Sequence, residues 1–205
     1  MNSLTILALL ILANTDSSLI ADQLASKYKN QAGGIGSHIT PLLVAIAHTD
    51  GPILELGCGD FSTPQIHAIC SKLKRLILST DTSKDWLDRF VHLKTSWHNF
   101  QYVPVYENDW DKNPKPQMWD AVGNDIHWSV VLVDHRPGER RVVDIDRLRH
   151  NADIIVVHDT EPYGEANYGY EPVFKTFKYR VDYTCYHPHT TILSETVDVT
   201  KLFSE

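Results

Sequence analysis

The sequence is poor in the features that mark several protein classes. Its three cysteines, Cys58, Cys70 and Cys185, are widely spaced and form no metal-spaced pair, so a disulfide framework or a cysteine-ligated metal site is not predicted. A reducing compartment is the simplest expectation for such a chain, and we expect the protein to be cytoplasmic. The net charge of −7 offers no excess of positive charge to a nucleic-acid backbone, so nucleic acid is not an expected partner.

The sequence also has little that points to a membrane. The apolar segment from Leu4 to Ala13 is too short to span a bilayer as a helix. A signal peptide is the alternative interpretation, but the first basic residue is Lys27, well after the apolar segment. A second helix is predicted from Asp16, which is a good capping residue, to Tyr28.

The length predicts a single domain. A chain of 205 residues with 42% hydrophobic residues can bury one sizeable core. We expect one domain over residues 1–205, in which residues 1–50 form a helical extension or lid and residues 51–205 form a nucleotide-binding core. The oligomeric state is not indicated by any feature of the sequence.

The rest of the chain is organised around the stretch from Pro52 to Thr63. The apolar residues of Ile53–Leu56 predict a buried strand, Gly57-Cys58-Gly59 predicts a tight turn, and a helix is expected from Gln65. Glycines let the backbone approach a ligand closely, and the following helix offers free N–H groups to an anion. This is the first unit of a nucleotide-binding α/β sheet.

The third glycine of a dinucleotide-binding G-x-G-x-x-G pattern is missing, because Ser62 stands in its place. A nicotinamide-dependent oxidoreductase is therefore disfavoured. The next strand, which begins near Leu76, ends at Asp81, 24 positions after Gly57. A carboxylate there has two acceptor oxygens for the two hydroxyls of an adenosine ribose. Asp81 is alternatively a cap for the helix that carries Trp86, and both roles are compatible.

Two later strands end in pairs of titratable residues. The apolar strand from His127 is followed by Asp134 and His135, and the strand from Ala152 is followed by His158 and Asp159. Ligands in such folds bind beyond the carboxyl ends of parallel strands, so we expect these four side chains to converge on the crevice beside Gly57. Desolvating four such groups is costly, which favours a functional role. The alternative for each histidine is simple hydrogen bonding at a strand end.

The stretch Glu55-Leu-Gly-Cys-Gly59 resembles the first motif of the class I S-adenosylmethionine (SAM) dependent methyltransferases. The resemblance implies a Rossmann-like α/β fold with a mostly parallel seven-stranded sheet, a C-terminal antiparallel hairpin and helices on both faces. It also implies SAM as the cofactor. The residues that it places at the cofactor are Ser37, His38, Glu55, Gly57, Cys58, Gly59, Asp81, Thr82, Asp109, Trp110 and Asp134. A flexible turn at Ser37 and His38 is the alternative for that segment, and core or loop packing is the alternative for Trp110.

The two strand ends resemble those of metal-dependent O-methyltransferases of the catechol and macrolide-sugar types. By this resemblance Asp134, His135 and His158 are candidate catalytic residues, and Asp134, His158 and Asp159 are candidate ligands of Mg²⁺ or Mn²⁺. A histidine ligand favours Mn²⁺, Co²⁺ or Zn²⁺ over Mg²⁺, and the absence of any metal is an open alternative. The base that deprotonates the acceptor hydroxyl is then His135 or His158. In the alternative, a metal lowers the pKa of that hydroxyl directly and no side chain acts as the base.

A further strand is predicted over Tyr102–Tyr106, in the middle of the chain. The C-terminal third points to the acceptor. A loop over Glu161–Tyr170 is expected to cover the crevice with tyrosine and asparagine side chains that suit a polyhydroxylated acceptor. The segments VLVDHRPGER and IIVVHDTEP resemble those of glucuronoxylan methyltransferases, and the compact size resembles that of the rhamnose methyltransferases of large algal viruses.

We therefore expect a SAM-dependent O-methyltransferase that acts on a sugar or glycan hydroxyl. One alternative is a catechol-like, metal-dependent O-methyltransferase with another small hydroxylated acceptor. The other is a non-catalytic SAM-fold binding or scaffold protein. No N-P-P-Y or D-P-P-Y run of the kind associated with amino-group methylation is present.

Overall fold

A computed structural model of the chain describes residues 36–105 and 118–203. The apolar segment from Leu4 to Ala13, the helix predicted from Asp16, and the candidate cofactor residues Asp109 and Trp110 lie outside the described residues. Within the described ranges, no helix is both long enough and apolar enough to cross a membrane.

The described strands form one seven-stranded sheet in the order β3-β2-β1-β4-β5-β7-β6. Strands β1 to β5 pair in parallel, while β7 runs antiparallel to both β5 and β6. The predicted mostly parallel sheet with a C-terminal antiparallel hairpin is confirmed. The strands are β1 (Ile53–Leu56), β2 (Ile77–Asp81), β3 (His98–Tyr102), β4 (Trp128–Val133), β5 (Ala152–His158), β6 (Tyr179–Tyr183) and β7 (Thr190–Ser194).

Helices cover both faces of this sheet because successive residues of a strand point to opposite faces. The described helices are α1 (Ile39–Ala47), α2 (Thr63–Leu73), α3 (Lys84–Asp88), α4 (Arg141–Leu148), α5 (Pro162–Tyr168) and α6 (Glu171–Phe174). Ile53 of β1 packs in a buried cluster with residues of α1 and α2, whereas Leu54 packs in a second cluster with residues of α4 and α6. Short 3₁₀ turns lie at Val91–Leu93, Met118–Ala121, Gly138–Arg140 and Val199–Lys201.

The third strand lies four residues earlier than predicted. Residues His98–Tyr102 pair with β2, with Tyr102 opposite Asp81, whereas the prediction placed the strand at Tyr102–Tyr106. Pro104 has no N–H to donate to a strand ladder, which disfavours the later position. The apolar Val103 is buried below the strand end instead of lying within the strand.

The segment after β5 was predicted to be a loop over Glu161–Tyr170, and that prediction is wrong, because it contains helix α5. Pro162 stands at the first helical position, where its missing N–H costs nothing. Gly169 ends the helix in the left-handed conformation at a φ of 67°, as glycine often does. Pro162 and Gly169 are therefore the boundaries of a short helix, and Gly164 is buried within it.

Candidate active site

A cleft of about 790 Å³ opens beyond the carboxyl ends of β1, β2, β4 and β5. This is where ligands bind in doubly wound sheets. Its walls include the predicted site residues His38, Cys58, Gly59, Asp81, Thr82, Asp134, His135, His158 and Asp159. They also include residues that were not predicted as site residues, namely Asp60, Phe61, Ser83, Trp86, Arg136, Arg141 and Pro188.

The turn after β1 requires glycine at Gly57. Its φ is +94°, a conformation that side chains with a Cβ rarely adopt. A Cβ there would also lie 2.5 Å from the carbonyl oxygen of Asp134. The turn is held from its other side, since the Gly57 N–H donates to the Thr80 carbonyl over 2.9 Å. The turn is therefore packed between the ends of β2 and β4, and it leaves the backbone of Cys58 and Gly59 facing the cleft.

Asp81 joins the glycine turn to the end of β2. Its Oδ2 accepts a hydrogen bond from the Cys58 N–H over 3.0 Å, and its Oδ1 accepts one from the Ser83 N–H over 2.8 Å. Ser83, not Asp81, caps α3, because its side chain accepts from the Trp86 N–H. Burial raises the pKa of Asp81, and the backbone donors oppose that rise. The carboxylate lines the cleft with lone pairs still free to accept further hydrogen bonds.

Glu55 lies beneath the turn and does not line the cleft. Its carboxyl group is fully buried, and Oε1 accepts a hydrogen bond from the Thr63 hydroxyl over 2.9 Å. The Thr63 hydroxyl oxygen in turn accepts from the Gly59 N–H over 2.9 Å. Burial raises the pKa of Glu55 to about 7. The contacts give Glu55 a role in holding the turn on the start of α2.

An aromatic wall stands beside the turn. The indole N–H of Trp86 donates to the Cys58 carbonyl over 2.6 Å. The guanidinium of Arg89 lies 4.0 Å from the centre of the Trp86 ring and pairs with Asp60 at 2.8 Å. Phe61 adds a second ring that is 42% exposed. The sequence signal was present, since Trp86 follows Asp81 by five residues, but it was interpreted only as the apolar face of a helix.

At the other end of the cleft, charged groups from β4 and β5 converge on a guanidinium. Arg141, at the start of α4, donates from Nη2 to Asp134 Oδ1 over 2.9 Å and from Nη1 to Asp159 Oδ2 over 3.0 Å. It also donates to the carbonyls of His135 and His158. Arg141 itself is 4% exposed. Sequence reasoning missed it, although an arginine pair directly after a turn beside several strand-end acids is a usable signal.

His158 lies against both acids. Its Nδ1 is 3.3 Å from Asp134 Oδ1 and 3.4 Å from Asp159 Oδ1. Burial lowers the pKa of His158, but the contact with Asp134 and the two negative charges outweigh burial, so the pKa is raised. For Asp134 burial raises the pKa, and His158 and Arg141 together bring it well below its usual range. Asp134 is therefore a carboxylate held between the Arg141 guanidinium and the His158 ring.

His135 is arranged differently from His158. Its ring is 1% exposed, its Nε2 lies 3.0 Å from Asp144 Oδ2, and it packs against Trp119 at 4.3 Å between ring centres. Asp144 is also paired with Arg140 and Arg147. Burial lowers the pKa of His135 in spite of Asp144. The ring of His135 is thus part of a buried network under α4, whereas the ring of His158, the other strand-end histidine, lies beside Asp134.

The N-terminal segment of the described chain closes the same end of the cleft. The Ser37 hydroxyl lies 3.0 Å from His158 Nε2. His38 is 4% exposed, and its ring meets the His158 ring edge-on at 4.5 Å between centres. Burial lowers the pKa of His38 to about 3. Neither ring nitrogen of His38 has a hydrogen-bond partner among the described residues.

The ligand set predicted for a metal is only partly brought together. His38, Asp134 and His158 each offer one donor atom, and these atoms lie within 4.8 Å of one another. Asp159 was predicted as the third ligand, but the group contains His38 in its place, and Asp159 Oδ2 accepts from Arg141. Since His38 lies far from the strand ends in sequence, the spacing gave no signal for this grouping.

The tyrosines predicted to cover the crevice do not line it in the described structure. Tyr170 is fully buried and lies 3.4 Å from Arg141. Tyr163 points to solvent and is 75% exposed. Tyr168 packs over the Arg141 guanidinium at 5.1 Å. These aromatics therefore support Arg141 or face outward, because α5 turns them away from the cleft.

Comparison with known proteins bears on this architecture. No protein-family model matches the chain, and no curated protein sequence matches it. Solved structures do match. A METTL16 methyltransferase domain is 12% identical over 78% of this chain and 67% of its own, with a TM-score of 0.53. The fold is that of the class I SAM-dependent methyltransferases.

Two human structures agree with this class I methyltransferase fold. The human methyltransferase 10 domain containing protein is 12% identical over 80% of this chain and 85% of its own, with a TM-score of 0.50. The N-terminal domain of human METTL16 in complex with S-adenosylhomocysteine (SAH) is 12% identical over 90% of this chain and 72% of its own, with a TM-score of 0.50. At this identity the similarity extends to the fold alone. It confirms the predicted fold class.

Proposed function

We propose that this chain is a SAM-dependent O-methyltransferase whose acceptor is a hydroxyl of a sugar or another polyhydroxylated small molecule. The observation that carries the proposal is the position of Asp134. On one side it contacts the glycine turn at Gly57, and on the other it contacts His158 and Arg141. A nucleotide-type pocket and a cluster of ionised groups therefore share one cleft.

The cofactor end of the cleft has the features that SAM requires. Asp81 presents both carboxylate oxygens beside the turn, which suits the two ribose hydroxyls of an adenosine. Trp86 provides an aromatic surface next to it. The SAH complex of the human METTL16 domain supports a ligand of this kind in the same fold. Cys58, Gly59, Asp81 and Trp86 would hold SAM at this end of the cleft.

The acceptor end is polar. The charged or basic residues that line the cleft with Asp134 include His38, Arg136, Arg141, His158 and Asp159, and the lining also includes the apolar Pro188. Such a lining offers donors and acceptors to several hydroxyls, whereas a catechol ring calls for apolar walls. This contrast favours a carbohydrate over a catechol-like acceptor. The ring of Trp86 lies beside the turn at the cofactor end.

The reaction is a displacement at a methyl carbon. Bound SAM supplies a methyl group on a sulfonium, so that the acceptor oxygen forms a bond to carbon as the carbon–sulfur bond breaks, and the sulfur keeps the electron pair. The chain holds the acceptor in line. The hydroxyl proton must leave, and the cluster of Asp134 and His158 is where the chain offers acceptors for it. Arg141 fixes the positions of both acids.

A panel of sugar acceptors with methyl-labelled SAM tests the proposal, with and without EDTA. We expect label in at least one sugar, and no label with Asp134→Ala. The exposed Asp146 provides the control variant Asp146→Asn, which should retain activity. Binding of SAH without transfer to any sugar or catechol, and unaffected by Asp134→Ala, would instead favour a non-catalytic binding protein.

A further inference from the structure

We infer that His38, Asp134 and His158 form a binding site for one divalent transition-metal ion at the acceptor end of the cleft. The use of that ion in catalysis rests on the proposed methyl transfer, whereas its binding needs neither SAM nor an acceptor. The three residues come from separate parts of the chain. His38 precedes α1, Asp134 follows β4, and His158 ends β5.

The donor atoms are spaced for a shared ion. One nitrogen of each histidine and one carboxylate oxygen lie within 4.8 Å of one another. Ligands at about 2.0–2.2 Å from a common tetrahedral ion are separated by about 3.3–3.6 Å, so closing the set brings its most distant donors together by up to about 1.5 Å. Two histidines and one carboxylate are a ligand set of open catalytic sites, which keep a further position for water or substrate.

His38 is otherwise hard to explain. It is 4% exposed, and both ring nitrogens lack a hydrogen-bond partner among the described residues. It occupies the capping position of α1, yet its side chain makes no capping bond. Burying a polar group without a hydrogen-bond partner is unfavourable. Coordination of an ion by one nitrogen removes much of that cost.

The surroundings hold two of the ligands in place. Ser37 lies at Nε2 of His158, so Nδ1 is the nitrogen that faces Asp134. Arg141 fixes the Asp134 carboxylate. Metal-ligating histidines usually bond through their other nitrogen in this way, and ligating carboxylates are likewise held by outer partners.

The donors select the type of ion. Two imidazole nitrogens and one oxygen suit Zn²⁺, Co²⁺ or Mn²⁺, while Mg²⁺ prefers oxygen ligands alone. The charges of Asp134 and Asp159 exceed that of Arg141 by one, which also favours a cation. A bound ion of this kind lowers the pKa of a hydroxyl that reaches its open position. The three ligands would then position that hydroxyl near the methyl group.

Titration of the full chain with Co²⁺ tests the site, because visible absorption reports directly on ligand geometry. We expect saturation at one ion per chain in the absence of SAM. His38→Ala should weaken binding at least about tenfold, and Ser37→Ala should weaken it less. His150→Ala removes an exposed histidine and should leave the affinity for Co²⁺ unchanged. Far-ultraviolet circular dichroism checks the folding of each variant.

The proposal is overturned if the folded wild-type chain binds no Co²⁺, or if His38→Ala binds it as tightly as His150→Ala. Calorimetry with SAH on the same wild-type sample separates this result from failure of the proposed function. SAH binding without Co²⁺ binding would remove the metal site alone. Loss of both would remove the methyltransferase proposal as well.

Discussion

Gly57 and Asp134 are in such close contact that a single added methyl group at Gly57 would lie 2.5 Å from the Asp134 carbonyl oxygen. The two residues end neighbouring strands, β1 and β4. The contact fixes the distance between the glycine turn, where the cofactor is expected, and the charged cluster, where the acceptor is expected. The shape of the cleft therefore depends on this contact between the backbones of Gly57 and Asp134.

Gly57→Ala should therefore destabilise the fold and abolish SAH binding. The substitution combines a positive φ with a collision against backbone atoms that have no room to move. Gly169→Ala is the matched control, because Gly169 has a φ of +67° but nothing within 4 Å of an added Cβ. We expect a loss of about 1 kcal/mol at Gly169 and of several kcal/mol at Gly57, measured by denaturant unfolding. Equal losses would contradict the close contact.

Asp81→Asn should weaken SAH binding at least about tenfold, since bonds to a charged acceptor contribute about 1.5–3 kcal/mol each. The amide also replaces one acceptor oxygen by a donor, which faces either the Cys58 N–H or the Ser83 N–H. Asp88→Asn changes an exposed residue of α3 and serves as the control. Isothermal calorimetry with SAH gives both affinities. An Asp81→Asn affinity equal to that of the control would remove Asp81 from the cofactor site.

Glu55 predicts a pH dependence of stability. Burial raises its pKa to about 7, above that of an unfolded glutamate, so the folded state holds a proton that the unfolded state releases. This carboxyl therefore costs stability as the pH rises from about 4.5 to about 7, by about 3 kcal/mol in total. Glu55→Gln has no ionisable group at this position, so its unfolding free energy does not carry this pH dependence. Between pH 4.5 and pH 8 we expect the unfolding free energy of Glu55→Gln to rise by about 3 kcal/mol relative to that of the wild type.

Chemical unfolding of the wild type and Glu55→Gln at a series of pH values measures this difference. Thr63 still finds an acceptor in the glutamine side chain, so the bond to the turn is retained. A difference in unfolding free energy that stays constant with pH would mean that Glu55 ionises as an ordinary surface carboxylate does.

Arg141→Met should be strongly destabilising. The substitution leaves Asp134 and Asp159 without their shared guanidinium, and removing one partner of a buried ion pair costs about 3–5 kcal/mol. Arg89→Met is the matched control, because the Arg89–Asp60 pair is about half exposed and such pairs contribute about 0–1 kcal/mol. Thermal or denaturant unfolding compares the two. Similar losses would argue against Arg141 as the centre of the cluster.

Much of the fold was predictable because it depends on local patterns. The strand, glycine turn and helix from Ile53 onward, and the acid at the end of β2, each follow from spacing within one unit. The strands that end at Asp134 and His158 are continuous apolar runs. These signals place the cleft at the carboxyl ends of the strands, whereas the strand order comes from the structure.

The errors have physical causes. The polar strand β3 is marked only by alternation at His98 and Phe100, and the more apolar residues after Tyr102 drew the prediction downstream. Helix α5 is short and is bounded by the residues that usually mark loops. Short segments of this kind are decided by tertiary packing and not by their own composition.

The site residues at the strand ends were predicted from the sequence, whereas the contacts between side chains of different elements were not. His135 and His158 look alike in sequence, since each is paired with an acid at the end of a strand. They differ because α4 supplies Asp144 to the first, while the second faces the cleft with Asp134. Arg141 was missed for the same reason, because its partners come from two strands.

Calorimetric titration of the folded chain with SAH tests the central claim most directly. The account predicts saturable binding at one site per chain, weakened by Asp81→Asn and unchanged by Asp88→Asn. The absence of heat from SAH in a sample that unfolds cooperatively would contradict it, since the cleft beside Gly57 would then not be a cofactor site.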